Sequence, residues 1–342
     1  MGVDLFFAVS GFVIARQLLQ TTLRSEATTT PELVASLRAF YRRRAFRLIP
    51  NALTLSVSIV VLSAIEPSVF GDLARNLKNA LAGLAGIGNW YAVRYPDITT
   101  GEIRPLIHMW SLSIEEQFYL VLPPLLLFSR RHAKAVASLF GSVAVMVSIW
   151  ASTTTQSAST AFFSTWSRVA PIGLGVLLAV AFSNPDTQWR LRKWRGQTPA
   201  LHLLLSTLFG FAVFVHWSDD SLRSGGFVAS AVMCAGIVAL SAVGIPSFVG
   251  GALRSAPFQL LGERSYALYL WHFPVAYLFL GLGRAPQLIL RILLSAALTE
   301  ISFRLIEQPG RRTLRWPKAH LAPLVMGALS LFLVVAETRS HA

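Results

Sequence analysis

Apolar runs close to the length of one bilayer crossing follow one another along nearly the whole chain, at about 3–20, 47–65, 107–128, 135–151, 165–183, 201–217, 226–243, 265–282, 287–306 and 321–336. Hydrocarbon offers the backbone no hydrogen-bond partners, so segments of this kind must satisfy their own N–H and C=O groups. The succession specifies an all-α fold, a polytopic transmembrane helical bundle of about ten spans. Of the 342 residues, 54% are hydrophobic and only 13% charged, which fits that class. The stretch 72–92 is also fairly apolar but carries Arg75, Lys78, several glycines and Asn89.

Charge decides whether 72–92 crosses. If it does not, one side of the membrane receives RSEATTTPELVASLRAFYRRRAFR, SRRHAK, NPDTQWRLRKWRGQTP, the loop with Arg254 and Arg264, and EQPGRRTLRWPKAH. If it does, the later loops change sides and the basic segments are split. The asymmetric solution obeys the positive-inside rule, makes 72–92 a re-entrant or interfacial segment, and sets both termini outside the cytoplasm. An integral, multi-pass protein of the plasma (cytoplasmic or inner) membrane is expected. A net charge of +14 would suggest nucleic acid in a soluble chain. Here short basic loops between spans leave no continuous face for a duplex, and nucleic-acid binding is excluded. Membrane lipids are the implied surroundings. The opening segment has no basic leader and carries Asp4, so it reads as a span and not as a cleaved signal. Cys234, the one cysteine, has no internal disulfide partner.

The run 107–128, IHMWSLSIEEQFYLVLPPLLLF, contains Glu115 and Glu116. An ionisable group at such a depth costs about 2.5 to 3.5 kcal/mol on insertion scales and usually faces a bundle interior with a partner. Ser111, Glu115 and Tyr119 recur at four-residue spacing and share one helical face, which marks Glu115 as a candidate catalytic group. In the first span, Asp4 and Ser10 stand among small residues that permit close helix packing, with Asp4 near the outer end, where solvation would suffice. At the entry to the second span, Arg43, Arg44 and Arg47 of YRRRAFRLIP crowd less than two turns. Guanidinium forks suit phosphates, so these arginines are candidates for gripping a phosphorylated donor, and equally for anchoring the helix on the cytoplasmic side.

His272 lies inside RSYALYLWHFPVAY, with Tyr266, Tyr269 and Phe273 at helical spacing. It is either a proton carrier or a hydrogen-bonded core histidine beside the kink at Pro274. No paired His, Asp or Glu spacing accompanies it, so no metal is expected. Glu300 and Arg304 are placed for a structural i,i+4 ion pair, and Glu307 with Pro309 marks the cytoplasmic end of that span.

Taken in order, GVDLFFAVSGF, RRRAFRLIP, HMWSLSIEEQFY, RSYALYLWHFP and IEQPGRR resemble the motifs of membrane acyltransferase family three, over residues 2 to 312. The resemblance implies transfer of an acyl group, acetyl above all, from acyl-coenzyme A on the cytoplasmic side to a hydroxyl of a cell-surface or lipid-linked carbohydrate. Acyl-CoA (acetyl-CoA) is then a co-substrate, and no bound cofactor is expected. By position, Arg44 and Arg47 match the family's paired donor-handling arginines and Glu115 matches its acidic motif residue. Trp110, Ser111, Tyr269 and His272 match recurrent motif positions. Family members carry an earlier helix with an arginine and a histidine regarded as the catalytic base, whereas this chain opens at the helix that follows. The expected organisation is an N-terminally incomplete acyltransferase-type domain over 1–312. A cytoplasmic basic loop and one extra outward helix follow over 313–342, a helix that in some relatives leads to an external SGNH-type hydrolase domain. His272 is the histidine left to act as base. A polar-lipid or metabolite transporter or flippase is the rival, since polar residues within a bundle suit a pathway too; an inactive remnant is a third reading.

Overall fold

The computed structural model describes residues 2–24, 29–95, 103–155, 157–215, 221–244, 248–279 and 283–313. Seventeen α-helices, with short 3₁₀ and π turns, make up the regular structure of the described residues. The expected span at 321–336, like the tail beyond residue 313, lies outside them. Helices cover all or part of the other nine expected positions, and five are long and apolar enough to cross a membrane: Gly2–Thr22, Thr30–Ile65, Arg130–Thr154, Gln197–Phe214 and Ser224–Ala242.

Two elements differ from expectation, and the stretch expected not to cross consists of short helices. The expected span at 165–183 is two helices, α9 (Thr165–Arg168) and α10 (Ala170–Ala181), because Pro171 in the first turn of α10 has no N–H to continue a helix from upstream. The span at 47–65 is the second half of a 36-residue helix, α2 (Thr30–Ile65), which runs through Pro50. The stretch 72–92 folds as α4 (Leu73–Leu84) and α5 (Gly88–Arg94), capped at its start by Asp72 and broken by Gly86 at φ 71°. Twelve residues of α-helix rise only about 18 Å, short of a bilayer's hydrocarbon core.

The chain divides into two compact units, Met1–Leu37 with Ile114–Ser255, and Arg38–Ser113 with Ala256 onward. In the first, α10 lies between α1 (Gly2–Arg24) and α7 (Ala133–Thr154), and glycines set the spacing. A Cβ on Gly11 would sit 2.3 Å from the Ile172 carbonyl oxygen, and one on Gly175 would sit 2.3 Å from that of Ala8. On the α7 side, a Cβ on Gly173 would meet the Ala144 methyl at 2.7 Å. Lipid tails are as apolar as leucine, so this backbone-to-backbone approach supplies the dispersion and packing that water supplies hydrophobically elsewhere.

In the second unit, Leu55, Ile59 and Leu62 of α2, Leu106 and Met109, and Leu270 and Trp271 of α15 (Ala256–Val275) share one core with Leu294 and Leu298 of α16 (Arg284–Ser302). Asn76 of α4 secures the short helices to this core, its Nδ2 donating to Ser63 Oγ at 2.8 Å and to the Phe70 carbonyl at 2.7 Å.

Gly175→Val should therefore lower the thermal denaturation midpoint in detergent or lipid nanodiscs by an amount corresponding to about 1–3 kcal/mol of overpacking. Gly210→Val, where an added Cβ meets nothing within 4 Å, should change it little. Equal midpoints for the two variants would refute the close-packed α1/α10 seam.

Candidate functional site

Three polar constellations sit inside the two units. The first surrounds Glu115, on the part of α6 (Trp110–Phe128) that belongs to the first unit. Glu115 is 2% exposed, and its Oε1 accepts hydrogen bonds from the hydroxyls of Ser10 on α1 and Tyr119 one turn along α6. The four-residue spacing thus brings Glu115 and Tyr119 together as expected, and Ser10 joins them from the first helix. Two hydroxyl donors on one carboxylate oxygen fix the orientation of the group. Glu116, the next residue, is only half-buried.

The second constellation corrects the expectation for Asp4. Its side chain is not solvated: it is wholly buried, with Oδ1 2.9 Å from Arg168 NH2 and Oδ2 accepting from Ser230 Oγ at 2.9 Å. The Arg168 guanidinium lies 4.1 Å from the centre of the Phe227 ring and 5.3 Å from that of Phe162, so aromatic faces complete its surroundings. This pair ties α1 to α9 and to α13 (Phe227–Ala242).

The third lies in the second unit. Tyr269 Oη donates to the His108 carbonyl at 2.6 Å and lies 2.5 Å from Ser111 Oγ, so these two motif residues meet across 158 positions of sequence. His272 is exposed, and its Nδ1 lies 2.7 Å from the Tyr269 carbonyl and 3.2 Å from that of Leu268. Carbonyl oxygens only accept, so Nδ1 is the donor in these contacts. It is therefore not the buried core histidine that a proline kink suggested. His108 was passed over in the motif HMWSLSIEEQFY. It is buried, stacked on Phe273 with ring centres 5.0 Å apart, and 6.2 Å from the His272 ring. Trp110, the first residue of α6, is buried.

Of the candidate donor arginines, Arg43 is exposed, while Arg44 and Arg47 are half-buried. Arg44 lies 5.8 Å over the Phe40 ring, and Arg47 Nε is buried without a hydrogen-bond partner. Glu300 pairs with Arg304 as expected and also accepts from Arg264 Nε at 2.5 Å. Glu307, past the end of α16, has a buried carboxyl that burial pushes up from the ordinary range, while Arg311 and Arg47 pull it down. Glu115 and His272 fall in different units. Among the described residues no three His, Cys, Asp or Glu side chains gather as a metal site.

The acyltransferase domain family matches residues 1–306. The chain belongs to that family. Among its relatives is the O-acetyltransferase OatA of Staphylococcus aureus (strain NCTC 8325 / PS 47), 31% identical over 91% of this chain and 52% of that protein. The peptidoglycan O-acetyltransferase OatA of Listeria monocytogenes serovar 1/2a is 27% identical over 91% of this chain and 51% of its own length. The putative peptidoglycan O-acetyltransferase YrhL of Bacillus subtilis (strain 168) is 30% identical over 91% and 50%. The chain spans about half the length of these curated relatives. No solved structure matches it significantly.

In this acyltransferase-family chain the Asp4–Arg168 pair is a stability determinant. Asp4→Ala leaves a buried guanidinium without its counter-ion and should cost about 3–5 kcal/mol. The double change Asp4→Leu with Arg168→Met should recover much of that loss in the same thermal denaturation measurement. A single variant as stable as the parent would disprove the buried pair.

Proposed function

We propose that this chain is an integral membrane O-acyltransferase that moves an acetyl group from acetyl-coenzyme A to a hydroxyl of a cell-wall glycan, with peptidoglycan the favoured acceptor. The observation that carries the reading is the family match over residues 1–306, together with relatives named as O-acetyltransferases, two of them of peptidoglycan. The basic loops are assigned to the cytoplasmic face of the plasma membrane and the termini to the other, by the positive-inside rule.

The chemistry follows from the side chains. The acceptor hydroxyl attacks the thioester carbonyl, and the acyl–sulfur bond breaks as the acyl–oxygen bond forms. In the second unit, Nε2 of His272 takes the acceptor's proton and returns it to the departing thiolate, so the products are an O-acetyl ester and a free thiol. Arg44 and Arg47, with Arg43 at the rim, hold the donor's phosphates through charge-assisted hydrogen bonds. In the first unit, the Glu115 carboxylate held by Ser10 and Tyr119 is a separate candidate, the acidic residue of the motif HMWSLSIEEQFY. The bond between Ser111 and Tyr269 fixes the motif that carries His272.

The test is acetyl transfer from labelled acetyl-CoA to a muropeptide or oligosaccharide acceptor by the chain in nanodiscs. Removal of a general base costs typically 10²- to 10⁴-fold, so His272→Gln should reduce kcat by about that factor. Glu115→Gln, which keeps the shape and removes the charge, should also lower the transfer rate. A His272→Gln protein turning over at the parental rate would rule out the assigned base, and transport of labelled glycan without any acyl donor would favour a flippase.

A further inference from the structure

Behind the candidate donor arginines lies a buried network that the function so far leaves without a role. The Glu307 side chain is fully buried, its Oε1 accepting from Arg311 NH2 and its Oε2 from Asn51 Nδ2 at 3.5 Å. Asn51, also fully buried, accepts at Oδ1 from Ser302 Oγ. Glu307 is thereby held from α2 and from α17 (Gln308–Thr313) at once. Arg47 stands one helical turn before Asn51 on α2, and its charge acts on both Glu307 and Arg311.

Arg311 is paired directly with Glu307, and Arg47 acts on the same carboxylate through its charge, while Glu263 is a second acid that acts on Arg311. The Nε atoms of Arg47 and Arg311 are both buried without a hydrogen-bond partner. Arg311 is 30% exposed at its side chain, so the arrangement opens outward through that residue. Its guanidinium also lies 5.9 Å from the centre of the Phe303 ring, whose ring centre is 4.5 Å from the Arg264 guanidinium. Carboxylate on one edge and an aromatic ring beside it restrict the planar fork to one orientation, which is what a phosphate-gripping arginine needs.

We propose that Arg311, positioned by Glu307, joins Arg44 and Arg47 in gripping the phosphates of the acyl donor. This rests on the donor reading above and extends it to the IEQPGRR segment. Arg311 is a binding residue in this scheme. Glu307 is a positioning residue that acts through Arg311 and Arg47 and touches no donor atom.

The experiment measures coenzyme A binding by calorimetry in nanodiscs, and steady-state kinetics with acetyl-CoA and with acetyl-pantetheine, a thioester that lacks the phosphates. Loss of charge-assisted hydrogen bonds to a phosphate weakens binding by about tenfold or more, so Arg311→Ala should raise Kd for coenzyme A and KM for acetyl-CoA by that factor. Turnover of acetyl-pantetheine should stay within about twofold of the parent, because no phosphate contact is lost. Arg311→Lys keeps the charge but not the fork, serves if the alanine variant does not fold, and should restore binding only in part. Glu307→Gln keeps the shape and the Asn51 contact, and should reproduce the rise in KM for acetyl-CoA with kcat unchanged. Carrying out the binding in nanodiscs of neutral lipid and of lipid with an anionic phosphate headgroup separates donor from lipid as the source of the phosphate. The proposal is overturned if Arg311→Lys and Glu307→Gln bind coenzyme A like the parent, if both thioesters suffer equally, or if the variants respond only to the anionic lipid. A parent chain that binds no coenzyme A would sink the donor reading itself, a result distinct from any confined to the variants.

Discussion

Hydrocarbon will not solvate a polar side chain, and three buried carboxylates among the described residues are handled under that constraint. Asp4 is met by Arg168 and Ser230, Glu115 by Ser10 and Tyr119, and Glu307 by Asn51 and Arg311. Each arrangement joins at least two segments far apart in sequence, so the polar groups specify which helices are neighbours, while apolar contact alone would permit many pairings. Close packing then follows. Once α1 is tied to α9 and α13 by Asp4, its Gly11 and the opposing Gly175 can bring backbones into direct contact.

Much of this was legible from spacing. Glu115 and Tyr119 lie four apart on a helix, and they do meet; Glu300 and Arg304 likewise. Periodicity finds such contacts because both partners ride on one element. Asp4 was misjudged because Arg168 stands 164 residues away at the start of an apolar run, and nothing local announces that it turns inward. His108 was missed although the signal was present: it precedes Ser111 by three residues and so shares that residue's face. The break at Pro171 was also readable, since a proline with no N–H ordinarily marks a helix start. The role of Glu307 was not, because a carboxylate beside two arginines at the end of a span looks like an ordinary interfacial charge until Asn51 is seen above it.

The two units divide the chemistry by chain segment. The first holds the carboxylate cluster and the tight helix seam; the second holds the histidines, the arginine-rich entry to α2 and the returning IEQPGRR segment.

The π turn at Phe303–Glu307 gives this separation a finer grain. In an unbroken α-helix, Glu300 and Glu307 would be seven residues apart and within about 20° of the same face. The widened turn rotates the later acid away from the earlier one. Glu300 is left to Arg264 and Arg304, and Glu307 to Arg311 and Asn51. Such bulges arise where one residue is inserted into a helix without changing what lies on either side. One widened turn thus sends two acids on the same stretch of chain to different sets of arginines.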